Sequence, residues 1–257
     1  MQRLFVIVPV FNEELNIPDL VIAFAALQKE LSDDYDVSFA LVDDGSSDRT
    51  VMLAKELSGS LNLSVLCHDV NKGPGAAFAT AFEYLSSRIV KDDWILTMEG
   101  DNTSRLELVR QMLTRTREGF DVVFASPYMY GGGFAQTSFL RKVLSSGANL
   151  VVKDLLDIQG LLTVSSFFRL YSGSALARLQ SVYGAGIVER TGFEAMVEMV
   201  MKMVMLKISI SEVAMRLDSS KRRGKSKMKI LRTIRGYLSL WKSKAIWMEQ
   251  ATYGSTS

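Results

Sequence analysis

The sequence predicts an α/β fold built on a mainly parallel sheet with helices on both faces. Three observations predict it. Apolar, β-branched runs alternate with helix patterns through the first half of the chain, the pattern of a sheet covered on both sides. The first four strand patterns each end in a polar or glycine-rich cluster, and open α/β sheets bind ligands at the carboxyl ends of their strands. The chain has 257 residues, 48% hydrophobic and 23% charged, enough to bury a sizeable core in one large domain.

Leu4–Val10 is a continuous apolar run that suits a strand buried on both faces. A loop over 12–17 leads to a helix at Pro18–Leu31. Val37–Val42 is the second strand, cut off by Asp43-Asp44-Gly45-Ser46-Ser47-Asp48. Ser47 or Asp48 can cap the helix Arg49–Leu57. Leu63–Cys67 is the third strand, and Asn71-Lys72-Gly73-Pro74-Gly75 opens a helix running to Leu85. Trp94–Met98 is the fourth strand, ending at Glu99-Gly100-Asp101, followed by a helix at Leu106–Arg117 and a fifth strand at Val122–Ala125.

Beyond residue 125 the alternation breaks. Gly131-Gly132-Gly133 reads as a loop, Ser138–Leu156 as a helix and Phe167–Tyr171 as a short strand. Phe193–Leu206 is a Met-rich helix whose Met196, Met199 and Met203 suit the core, and Ile208–Arg216 alternates as an edge strand. A basic loop at Ser219–Lys229 precedes a helix at Ile230–Met248 with an apolar stripe through Tyr237, Leu238, Trp241, Ala245 and Met248. The expected division is a catalytic domain over 1–215, split near residue 125 into a donor half and an acceptor half. A basic loop, amphipathic helix and tail then occupy 216–257.

Composition excludes several classes. A net charge of +2 argues against a nucleic-acid binder. One cysteine, Cys67, and one histidine, His68, cannot form an intramolecular disulfide, a zinc site of the usual ligand count or an obvious nucleophile triad. The single thiol fits a cytoplasmic protein and reads as a buried strand-end residue. The start shows no signal-peptide pattern, and no apolar run is long enough to span a bilayer.

The acidic strand ends carry chemistry. A carboxylate at Asp43 or Asp44 can accept from a nucleobase N–H or a ribose hydroxyl, although an aspartate-rich turn and helix cap explains the pair equally well. Glu99 and Asp101, separated only by Gly100, can share one hard cation, Mg²⁺ or Mn²⁺. Such an ion would neutralise a diphosphate leaving group, while a plain acidic turn is the alternative. Lys72 and Gly73 open a helix whose N-terminus can receive a phosphate or sugar.

Taken together, Ile7-Val8-Pro9-Val10-Phe11-Asn12-Glu13-Glu14, Val42-Asp43-Asp44-Gly45-Ser46-Ser47-Asp48, Asn71-Lys72-Gly73-Pro74-Gly75 and Glu99-Gly100-Asp101 resemble, in order and spacing, the family 2 glycosyltransferases of GT-A, Rossmann-like fold. Phe168-Arg169-Leu170-Tyr171 and Gly224-Lys225-Ser226-Lys227 are similar to the dolichol-phosphate mannose synthase and polyprenyl-phosphate glycosyltransferase branch. The resemblance covers about residues 4 to 230. It implies a nucleotide pocket lined by Pro9, Phe11 and Glu13, with Asp43 on the nucleoside. It places the metal at Glu99 and Asp101, Glu99 standing where the family usually carries Asp. It further implies Arg141 and Ser145 on the lipid phosphate, and Arg169 and Lys227 contacting phosphates or fixing the site. The implied reaction is inverting transfer of a hexose from a GDP- or UDP-sugar to a polyprenyl phosphate. Transfer to a saccharide hydroxyl, with Glu194 as a candidate base, and non-catalytic binding of a sugar nucleotide are the alternatives.

From Arg216 onward there are eleven Lys or Arg against two acidic residues. With Trp241 and Trp247 as aromatic anchors, the last helix can lie on an anionic membrane surface, and a membrane-anchoring protein is a second conceivable partner. A C-terminal helix packed on the domain with its basic face in water is the alternative.

Overall fold

The structure is a computed structural model, and it describes residues 1–135, 149, 152–154, 156–224 and 230–254. Chain order runs β1 (Gln2–Val10), α1 (Ile17–Leu31), β2 (Tyr35–Asp43), α2 (Thr50–Leu57), β3 (Leu63–Cys67), α3 (Pro74–Ser86), β4 (Trp94–Thr97), α4 (Val109–Thr116) and β5 (Val122–Ser126). It continues with β6 (Gly133–Ala135), β7 (Arg169–Ser172), α5 (Gly173–Tyr183), α6 (Ala195–Met205), β8 (Ile210–Ala214), β9 (Arg216–Asp218) and α7 (Ile230–Gly254).

Seven strands form one sheet in the order β3-β2-β1-β4-β7-β5-β8, and β6 pairs with β9 in a separate ribbon. All pairings in the main sheet are parallel except those of β7, which runs antiparallel to both β4 and β5. The order steps outward from β1 through β2 to β3, then returns to place β4 on the other side of β1. The crevice between the ends of β1 and β4 is therefore a topological switch point, where a ligand fits between diverging connections.

Period-two alternation sorts the core into two layers. Leu4, Val6, Val8 and Val10 of β1 pack in one cluster with Phe24, Leu27, Met112 and Leu113 from α1 and α4. Ile7 points to the opposite cluster, with Phe78, Phe82, Leu176, Met199 and Met203 from α3, α5 and α6. The Met-rich stripe of α6 is core, with Met196, Met199 and Met203 fully buried.

Helix α7 belongs to this second layer, and its orientation departs from the sequence expectation. Leu240, Trp247 and Ala251 are buried, whereas Leu238, Trp241 and Met248 face solvent. Part of the expected stripe is therefore the outward face, Tyr237 packs against the second layer, and Trp247 is no membrane anchor. The indole Nε1 of Trp247 donates to Glu189 Oε2 at 2.9 Å, and its ring packs beside the buried Lys202 ammonium, 4.5 Å from the centroid. A core pair, Glu198 with Lys202, sits beneath that contact. Glu198 also accepts from the backbone amides of Glu189 and Arg190, each at 2.9 Å.

Other differences are local. Cys67 is exposed, contrary to expectation, because β3 is the outer strand of the sheet. Helix α5 had no counterpart in the sequence reading; Ser172 caps it by accepting from the Ala175 amide at 3.0 Å. Gly133, expected in a loop, begins the short strand β6 against β9. Most of the expected helix over 138–156 lies outside the described residues.

Removing Glu198 would take the buried carboxylate from the Lys202 ammonium, leaving it the Gly186 carbonyl and Glu189 at 3.9 Å, and would deprive two backbone amides of their acceptor. Glu198→Ala is expected to cost about 3 kcal/mol or more, read as a lower denaturant midpoint at unchanged slope. A shift below about 1 kcal/mol would show that the pair is not structural.

Candidate active site at the strand ends

The site is assembled from the loops that leave β1, β2 and β4. After β1 the backbone turns at Asn12, which adopts a left-handed φ of 52°. This conformation suits asparagine because its short amide bonds locally. Here Asn12 Oδ1 accepts from the Ser47 amide at 2.8 Å, and the Asn12 amide donates to Ser46 Oγ at 2.8 Å. The Glu13 amide donates to Thr50 Oγ1 at 2.7 Å. The loops after β1 and β2 are thus tied into one wall, with Pro9, Phe11 and Glu13 partly exposed along it.

Asp43 and Asp44 are both buried but do different work. Asp43 Oδ2 accepts from the Ser46 amide at 3.0 Å, while its buried Oδ1 has no hydrogen-bond partner among the described residues. A buried carboxylate oxygen without a partner is costly, and a ligand hydroxyl or N–H would satisfy it. Both oxygens of Asp44 already have partners. It accepts from the amides of Lys72 and Gly73, each at 2.8 Å, and pairs with His68 Nδ1 at 2.8 Å. His68 Nε2 in turn meets Thr80 Oγ1 at 2.9 Å. The sole histidine is a strut holding the loop after β3 onto the loop after β2.

The glycines of that loop answer to the chain's own backbone. A Cβ on Gly73 would lie 2.3 Å from the Thr191 carbonyl oxygen, and one on Gly75 would lie 2.0 Å from that of Arg190. The Gly75 amide donates to Thr191 O at 2.8 Å. Close approach is required here, as the sequence suggested, but the partner is the segment 190–191 that Glu198 holds in place.

At the end of β4, Gly100 lets the chain press against β1, where a Cβ would meet Val10 Cγ1 at 2.7 Å and Pro9 O at 3.1 Å. This brings Glu99 and Asp101 to the switch-point crevice. Glu99 pairs with Ser104 Oγ. Burial first, then the charge of Asp101, pushes its carboxyl above the usual glutamate range. Asp101 Oδ1 accepts from the Thr103 amide at 3.1 Å and from Thr103 Oγ1 at 2.5 Å. Its Oδ2 accepts from Arg222 Nε at 2.5 Å in a two-pronged ion pair.

This donor set fits a hard divalent cation in part. Two carboxylates one residue apart form an anionic edge whose mutual repulsion a cation would relieve. Among the described residues no group of three His, Cys, Asp or Glu could hold a metal ion, so the remaining ligands would be water or phosphate oxygens.

Arg169 is fully buried. Its guanidinium donates to Met196 O at 2.9 Å and Val164 O at 2.7 Å and lies over the Phe124 ring. Of the two roles expected for it, this geometry suits fixing the site, and its buried Nε has no hydrogen-bond partner among the described residues. Arg141, Ser145 and Lys227 lie outside the described residues. Glu194 has its carboxylate against α7, where a Cβ on Gly236 would lie 2.6 Å from Oε2. The Tyr237 hydroxyl nearby is pushed up to about 12, chiefly by burial.

Residues 5–179 match the sequence profile of glycosyl transferase family 2. The chain belongs to that family. A dolichol-phosphate mannosyltransferase of Pyrococcus furiosus is 29% identical over 208 residues, covering 78% of this chain and 53% of that protein. An undecaprenyl-phosphate 4-deoxy-4-formamido-L-arabinose transferase of Pseudomonas fluorescens is 31% identical over 150 residues, covering 58% of this chain and 41% of that one. The chain thus spans about half the length, or less, of these curated relatives. Among solved structures, a glucosyl-3-phosphoglycerate synthase from Mycobacterium tuberculosis in complex with Mn²⁺, uridine diphosphate and phosphoglyceric acid superposes with a TM-score of 0.65. It is 16% identical, and the match covers 95% of this chain and 78% of that one. A mannosyl-3-phosphoglycerate synthase from Rubrobacter xylanophilus matches with a TM-score of 0.58 at 12% identity, over 93% of this chain and 73% of its own. These likenesses establish a GT-A-like fold.

Glu99 offers a test of the electrostatics. Its raised carboxyl means that the folded chain holds this proton more tightly than the unfolded chain does. Stability is therefore lost as pH climbs through the ordinary glutamate range towards the raised value. Glu99→Gln is expected to raise the unfolding temperature of the metal-free protein at neutral pH, with the gain vanishing in acid, and to weaken Mn²⁺ binding. A lower unfolding temperature at neutral pH would contradict the assignment.

Proposed function

We propose that this family 2 glycosyltransferase moves a hexose from a GDP- or UDP-sugar, with Mg²⁺ or Mn²⁺, to a polyprenyl phosphate by an inverting displacement. The observation that carries the reading is that both acidic ends lie against the end of β1: the Asp44 amide, next to the unpartnered Asp43 oxygen, donates to Val10 O at 2.9 Å, and Gly100, between Glu99 and Asp101, presses on Pro9 and Val10. Relatives named for transfer to dolichol phosphate and undecaprenyl phosphate support the acceptor class. The solved neighbour that binds Mn²⁺ with uridine diphosphate supports the donor and the ion.

In this reading Asp43 Oδ1 accepts from the nucleoside, and Pro9, Phe11 and Glu13 form the wall beside it. Lys72 and Gly73, fixed by Asp44, border the donor. Glu99 and Asp101 would hold the ion, which would supply positive charge to offset that building on the departing diphosphate. A phosphate oxygen of the acceptor attacks the anomeric carbon as the bond to the diphosphate breaks. The attacking oxygen is already anionic, so no side chain needs to remove a proton. Arg169 keeps the 164 loop and the start of α6 in register. Arg141, Ser145 and Lys227 are assigned to the acceptor phosphate by resemblance alone.

The outward face of α7 supports a peripheral contact with the lipid surface that carries such an acceptor. Leu238, Trp241 and Met248 are exposed along it, with Arg235 and Lys242 also exposed. No described helix is long and apolar enough to cross a membrane.

Purified protein with Mn²⁺, a short polyprenyl phosphate and a panel of GDP- and UDP-sugars is expected to yield a lipid-linked sugar. Asp101→Asn is expected to lower that yield on the order of a thousandfold. Nucleotide release without lipid product would move the acceptor to a saccharide hydroxyl, and full activity of Asp101→Asn would overturn the metal assignment. On anionic vesicles, Trp241→Ala is expected to bind about tenfold more weakly, measured by sedimentation; equal binding would remove α7 from the contact.

A further inference from the structure

Residues 219–224 form a strap that crosses from the β9 end to the mouth of the site. It is anchored at Arg223, whose amide donates to Asn16 Oδ1 at 2.9 Å and whose carbonyl accepts from Asn16 Nδ2 at 3.0 Å. The Arg223 guanidinium also pairs with Asp19 at 2.8 Å. Asn16 is buried, and its carbonyl accepts from Asn102 Nδ2 at 2.9 Å. The anchor therefore ties the strap to the start of α1 and to the residue next to Asp101. From that anchor Arg222 reaches inward and takes Asp101 Oδ2.

Both oxygens of Asp101 are thus committed. Thr103 holds Oδ1 through its amide and hydroxyl, and Arg222 holds Oδ2 through two nitrogens. A divalent cation bound through Asp101 must displace one of these partners. Thr103 lies two residues away and contributes no net charge. Arg222 is cationic, so a nearby metal ion repels it. Arg222 is the partner that yields.

We propose that Arg222 is a built-in competitor of the metal ion, a latch that makes tight metal binding depend on the donor. The inference rests on the metal-bearing reading of Glu99 and Asp101. Metal alone must expel Arg222 and gains only two carboxylates. Metal arriving with a nucleoside diphosphate brings further oxygen ligands and negative charge, enough to complete the exchange. The double hydrogen bond at Asn16 holds the strap backbone, so the exchange is a swing of the Arg222 side chain. Binding of nucleotide and metal then becomes cooperative, with a coupling that works equally in both directions.

The test is Mn²⁺ affinity of the full chain, by calorimetry or electron paramagnetic resonance, without nucleotide and with saturating uridine diphosphate. Arg222→Ala is expected to bind Mn²⁺ alone about tenfold more tightly than the native chain. With uridine diphosphate present the gain should shrink, so the ratio of the two affinities falls. Arg222→Lys keeps the charge but loses the two-pronged geometry, and is expected to fall between the two; it serves equally if Arg222→Ala does not fold. Unchanged or weaker Mn²⁺ binding in these variants overturns the latch, as does an absence of Mn²⁺ binding in every form. Tighter Mn²⁺ binding without sugar transfer would leave the latch standing and sink the proposed reaction. Transfer with Mn²⁺ affinity unmoved by Arg222→Ala would sink the latch alone.

Discussion

Two carboxylates held one residue apart at the end of a buried strand repel each other, and much of this structure is arranged around that repulsion. Gly100 allows the approach by letting β4 press against Pro9 and Val10. Hydroxyls from Thr103 and Ser104 take one oxygen of each acid. Arg222 brings a positive charge to Asp101 from far along the chain. What is left is an anionic edge in which Glu99 is driven towards its protonated form. Such an edge destabilises the free protein and favours a hard cation, a cost that is common where binding sites are built.

Behind the edge, rigidity is passed inward by further polar contacts. Asp44 fixes the turn at Lys72 and Gly73, and His68 braces Asp44. That turn rests on carbonyls at Arg190 and Thr191, and the preceding amides end on Glu198. Glu198 pairs with Lys202, and Trp247 of the last helix covers that pair. A continuous run of contacts thus joins the C-terminal helix to the loop after β2. Because the run ends on a fully buried ion pair covered by Trp247, the helix is part of the core as well as a surface for other contacts.

Much of this was legible in the sequence, and the reasons are physical. The strands β1 to β5 were visible because buried parallel strands are written as continuous apolar runs. Their acidic ends stood out because carboxylates rarely follow such runs without a task. The antiparallel β7 was visible as a strand but not in its direction, which depends on how the chain returns after β5. The side of α7 that packs inward could not be read from its own residues. Leu238, Trp241 and Met248 form as convincing a stripe as Leu240, Trp247 and Ala251, and it is distant partners, the Lys202 ammonium, Glu189 and Tyr183, that hold Trp247 inward. Arg222 was one of eleven basic residues from Arg216 onward, with no local mark to distinguish it; its pairing with Asp101 spans 121 residues of chain. His68 was passed over because its role is to brace another side chain, which leaves no spacing motif.

The most direct measurement of the central claim is a crystal structure of the full chain with Mn²⁺ and a nucleoside diphosphate. The account predicts the ion between the Glu99–Asp101 edge and the diphosphate, with Asp43 Oδ1 accepting a hydrogen bond from the nucleoside. A nucleotide bound elsewhere, or one bound at the crevice with Asp43 Oδ1 still unpartnered and the ion away from both acids, would contradict it.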